Sequence, residues 1–112
     1  MATRLHPPPR SGEDWARALA RFRAAEVEAR AWEGRTEEVA REAWRAIEGG
    51  YGDRLDAMYA ALRRVMRVRA PDLGALAVKV VLAVDHEVAT LAGGEACMAA
   101  LKRDAVRLAA GG

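Results

Sequence analysis

Apolar positions in the first third of the chain recur at alternating steps of three and four. Trp15, Ala18, Phe22, Ala25, Ala29 and Trp32 fall on one face of a helix with 3.6 residues per turn. Thr36, Val39, Ala43 and Ile47 extend that face, with Trp44 beside it. Ser11 and Asp14 resemble a capping box in which Asp stands for the usual Glu or Gln, and Glu13 and Asp14 suit the positive end of the helix dipole. Glu13–Arg17, Glu26–Arg30 and Glu37–Arg41 are i,i+4 pairs in the favourable order. Gly34 is the one interruption, and a helical glycine costs about 1 kcal/mol against alanine. The pattern predicts a single helix over 12–48, with a bend at Gly34 as the alternative.

"GGYGD", residues 49–53, has three glycines in four positions and predicts a turn. A second helix is expected over 54–68, with Leu55, Met58, Leu62, Val65 and Met66 inward. "RAPDL", residues 69–73, breaks it, because the residue before a proline is pushed out of the helical region. Pro71 and Asp72 suit the start of the next helix. Within "ALAVKVVLAV", residues 75–84, Leu76, Val78, Val80, Leu82 and Val84 alternate as in a strand. A lone strand would find no partner elsewhere in the chain, however. Ala77, Val81, Val84, Val88 and Leu91 keep a helical rhythm past the run, so a helix is expected over 72–92. With apolar residues around most of its circumference, it is expected to be the most buried. Gly93–Gly94 ends it, and a last helix over 95–109 turns Cys97, Met98, Leu101, Ala105 and Leu108 inward. The fold class predicted is all-α: a small four-helix bundle with a long N-terminal helix, spanning 12–110 behind a flexible arm of residues 1–11. Pro7, Pro8 and Pro9 favour extended backbone in that arm.

Composition agrees with helix. The 112 residues are 52% hydrophobic, much of it alanine, and only 5% aromatic. A net charge of +2 provides no strong global field toward nucleic acid or membrane. A single cysteine excludes an intramolecular disulfide, and no stretch approaches the roughly 18 apolar residues of a membrane helix. A cytoplasmic protein is expected.

"APDLGALAVKVVLAVDHEVATLAGGEACMAALKRDAVRLA", about residues 70–109, resembles the C-terminal half of small uncharacterised helical proteins of GC-rich bacterial genomes, some of them phage- or mobile-element-linked. That resemblance implies a cytoplasmic bacterial helical protein and carries over no activity and no site residue.

Candidate chemistry concentrates at Asp85, His86 and Glu87. His86-Glu87 opens the zinc-protease pattern, but position 90 is Thr, not His. One Cys and two His are too few for a four-ligand zinc site. On a helix the three residues diverge by about 100° each and do not converge on one ligand. They read as polar residues on a helix edge, available to a neighbouring arginine or a partner. Cys97 sits on an apolar face, where a free thiol is ordinarily a small buried hydrophobe. No catalytic residue, cofactor, metal or small-molecule substrate is expected.

Two surfaces remain. A helix over 12–48 is about 55 Å long by its rise per residue, more than three shorter helices can cover. Trp15, Phe22, Trp32 and Trp44 would then face a protein partner, in a homodimer or a hetero-complex. The expected function is a non-enzymatic protein–protein interaction module: a phage- or mobile-element-linked regulator or inhibitor of a bacterial complex, of the anti-defence kind. The alternative is a small nucleic-acid-binding regulator using Arg63, Arg64, Arg67 and Arg69, where segment 53–69 holds five arginines against two aspartates. Cations are also favoured at a helix C-terminus by the dipole alone.

Overall fold

The computed structural model describes residues 10–36 and 44–111, and shows an all-α fold of four helices. They are α1 (Arg10–Thr36), α2 (Trp44–Arg67), α3 (Leu73–Asp85) and α4 (Gly94–Ala109), with a short 3-10 helix at Val88–Thr90. The arm of residues 1–9 and the Glu37–Arg41 pair lie outside the described residues.

The long helix over 12–48 is not formed. α1 stops at Thr36, two residues past Gly34, and α2 returns antiparallel to it. Glu28 meets Arg54 at 3.3 Å and Trp32 lies on Gly50, while Asp14, Arg17 and Arg21 share a cleft with Arg64. This hairpin is the main helix pair of the fold. Each helix covers the other's apolar face, so the reason for pairing two copies along a 55 Å overhang is removed.

The turn expected at 49–53 is also absent, because α2 runs straight through Gly49, Gly50 and Gly52. The cause is packing. A Cβ on Gly50 would stand 2.5 Å from Trp32 Cζ3, so this position admits the indole only as glycine. Arg54 also lies over this ring, its guanidinium 5.1 Å from the centroid.

The core sits at the other end of the hairpin. Ala18 and Phe22 of α1 meet Met58, Leu62, Val65 and Met66 of α2, and Leu82, Val88 and Cys97 close the cluster. The inner faces of α1 and α2 are the ones that the periodicity predicts. On α4, Cys97 is buried and Met98 and Leu101 pack against the core as expected, whereas the α3 face is rotated. α3 buries Ala75, Lys79, Leu82 and Ala83, and α4 buries Gly94, Cys97, Ala100 and Asp104. A buried pair, Lys79 and Asp104, takes a place on each of these inner faces. The aliphatic residues expected inside α3 are displaced to solvent, and Ala105 of α4 is likewise exposed. α3 therefore buries one face and leaves the other in solvent.

α3 is also shorter than expected. Asp72 caps it, its carboxylate accepting from the Ala75 N–H at 2.8 Å. It ends at Asp85, and Glu87 takes a left-handed conformation (φ 49°). The turn lets Val88 drop fully into the core. Its carbonyl then lies against Gly94, where any Cβ would collide with backbone, and Gly93 (φ 76°) starts α4. Among the described residues, no helix is long and apolar enough to cross a membrane.

Candidate functional site

The C-terminal turn of α2 leaves backbone carbonyls without helical partners. Lys79 of α3 meets them: its ammonium donates to the carbonyls of Met66 (2.9 Å) and Val68 and to Asp104 Oδ2 (2.5 Å). Three donors find three acceptors, which is what allows a fully buried lysine. Arg107 extends the network, donating to Asp104 Oδ1 (2.9 Å) and to the Ala70 carbonyl (2.7 Å). Burial pushes the Asp104 carboxyl up. Hydrogen bonds from Lys79 and Arg107, with the Lys79 charge, outweigh burial and hold it below the usual carboxylate range. Trp15 lies over this knot, its ring centroid 5.8 Å from Lys79 Nζ.

Outside that knot the arginines gather. Arg63, Arg64 and Arg67 of α2 face Gly93, Ala96 and Arg103 across a cleft of about 540 Å³. Arg64 also lines a smaller recess with Asp14, Arg17 and Arg21 of α1. Arg67 and Arg103 line a third with Arg69, Asp104 and Arg107. Shared residues make these one continuous basic surface across three helices. No ion pair among the described residues engages Arg17, Arg21, Arg63, Arg64, Arg67, Arg69 or Arg103. Sequence alone points only to Arg63, Arg64, Arg67 and Arg69 of this surface. The signal for the rest was present, since Arg17–Arg21 and Arg103–Arg107 are each spaced i,i+4 and so share a helix face.

The second surface is the outer face of α3. Leu73 (66% exposed), Val80 (46%), Val81 (55%) and Val84 (70%) stand in solvent with exposed Ala77 among them. The only charged residues of this helix are Lys79, which points inward, and Asp85 at its end. A groove of about 480 Å³ runs alongside, between α3 and α1, rimmed by Arg23, Glu26, Arg30, Asp85 and His86.

The stripe expected to meet a partner is partly taken up by the chain's own packing. Phe22 is fully buried, and Trp15 and Trp32 are half-buried against their own chain. The Trp44 side chain lies outside the described residues. Asp85, His86 and Glu87 terminate α3, correcting their expected place along a helix edge. His86 sets its ring edge-on to Phe22 (5.6 Å between centroids) and its Nε2 3.6 Å from Glu26. Cys97 faces α2, its Sγ 3.9 Å from the Arg63 carbonyl. Burial raises its thiol despite the lowering charges of Arg67, Arg63 and Lys79, which keeps it protonated and unreactive at neutral pH. His86 and Cys97 thus serve separate helix contacts. Among the described residues, no group of three His, Cys, Asp or Glu is placed to hold a metal ion. Comparison with family models, curated proteins and solved structures finds no match to this chain.

Proposed function

We propose that the protein is a non-enzymatic docking module that binds a helix of another protein through the outer face of α3. The observation that carries this is the charge-free aliphatic seam of Leu73, Ala77, Val80 and Val84. Steps of four, three and four are the spacing by which one helix seats against another. Val81 widens the seam, and Val27 of α1, 68% exposed, shares a helix face with the groove-lining Arg23 and Arg30. An apolar centre bordered by Arg23, Arg30 and Asp85 has the anatomy of a protein interface, dry inside and polar at its rim. Aliphatic side chains held in water at such a face gain about 25 cal/mol per Å² when covered. Regulation or inhibition of a bacterial complex is the kind of role such a module fills.

The test is a photo-crosslinking residue at position 84, introduced in the native host, with adducts mapped by mass spectrometry. The expected result is an adduct to a helical segment of one other protein, lost on Val80→Lys. Because Val80 is exposed, that variant should fold with unchanged helicity. Adducts to a second copy of this chain, or adducts that survive Val80→Lys, would overturn the reading.

A further inference from the structure

The arginine surface lies apart from the α3 seam, and docking there leaves it unexplained. The geometry points to a site for the sugar–phosphate backbone of a nucleic-acid duplex. Arg17 and Arg21 of α1, Arg63, Arg64 and Arg67 of α2 and Arg103 of α4 form its track, joined through the shared residues of adjoining recesses. None of the six is engaged by an ion pair among the described residues, whereas Arg23, Arg30 and Arg54 all meet glutamates. Of the two carboxylates along the track, Asp104 is held by Lys79 and Arg107, leaving Asp14 at the outer end.

Two features select the ligand. The side chains between the arginines are small: Ala60, Val68, Gly93 and Ala96. A protein partner would need a large apolar anchor at the centre of such a patch, and the described residues between these arginines offer no large apolar side chain for it to pack on. Among the described residues, no aromatic side chain lines the recesses to offer the stacking platform by which unpaired bases are held. What remains is guanidinium chemistry, which matches phosphate oxygens in pairs of parallel hydrogen bonds. Binding of this kind positions a duplex without reading its sequence.

Fluorescence anisotropy with 20-base-pair DNA and RNA duplexes across a salt series tests this. The expected result is sequence-independent binding whose log affinity falls linearly with log salt. Arg63→Gln with Arg67→Gln and Arg103→Gln should weaken it on the order of tenfold or more and flatten the slope by about three. A charge-matched control, Arg23→Gln with Arg30→Gln and Arg54→Gln, should keep most of the affinity. Circular dichroism of both triple variants checks that they fold. Preference for RNA or DNA identifies the duplex and supports the site either way. Four results would overturn it: no binding at low salt, equal losses in both variants, tighter binding of single strands, or equal affinity for polyglutamate.

Discussion

Lys79 sits in the middle of the most aliphatic run of the chain, and it is buried while Val80 and Val81 just after it are exposed. Its partner Asp104 is nearly as enclosed. Removing one member of such a pair leaves the other charge buried without compensation, at a cost of about 3–5 kcal/mol. Asp104→Ala should lower the thermal midpoint strongly, by an amount in that range in denaturant titrations. The double variant Lys79→Met with Asp104→Leu should recover part of the loss. The pair also sets a pH dependence. The folded-state pKa of Asp104 lies below its ordinary value of 3.8, so the stability it contributes is full above that value. It is lost as pH falls through the lower folded value. Acid unfolding followed by circular dichroism should show this as a steepened loss below about pH 4, and Asp104→Asn should remove that component.

At the level of helices, much of the fold was legible, and the misreadings share physical causes. The α1 and α2 faces built on Phe22, Leu62 and Met66 follow from periodicity because only apolar side chains occupy them. The α3 face did not, and the α4 face did only around Cys97, Met98 and Leu101, because the charge pair Lys79 and Asp104 takes places where the pattern expects an apolar residue. Periodicity has no way to show that two charges far apart in sequence will neutralise each other. The basic site was half legible for the same reason: its α2 arginines are adjacent in sequence, but only the fold brings Arg17 and Arg103 beside them. Gly50 was misread as a turn because its need is for space, not for unusual backbone angles. A double-mutant cycle separates the two. Gly50→Ala should destabilise by about 1–3 kcal/mol while Trp32 is present, from overpacking. In a Trp32→Ala background the same change should stabilise by about 1 kcal/mol, the ordinary helical advantage of alanine.

On the scale of the whole molecule, the hairpin is longer than the helices that cover it. The core of all four helices involves α1 as far as Ala29 and α2 from Met58 onward, and beyond that Trp32, Gly50 and Arg54 are held by two helices alone. The radius of gyration is 17.7 Å, against about 13 Å for a compact chain of this length. The two proposed surfaces lie at the four-helix end. The arginine cleft opens over the α2–α4 seam, and beneath it lies Cys97, the one thiol of the chain, fully enclosed. A disulfide reagent therefore reaches this sulfur only when α4 lifts from α2, which turns a packing residue into a clock for that motion. Under native conditions, labelling should proceed at the opening frequency of the seam and speed up steeply in dilute denaturant. A polyanion laid across Arg63, Arg67 and Arg103 would bridge the two helices and slow the clock, and a labelling rate indifferent to bound duplex would show that nothing spans them.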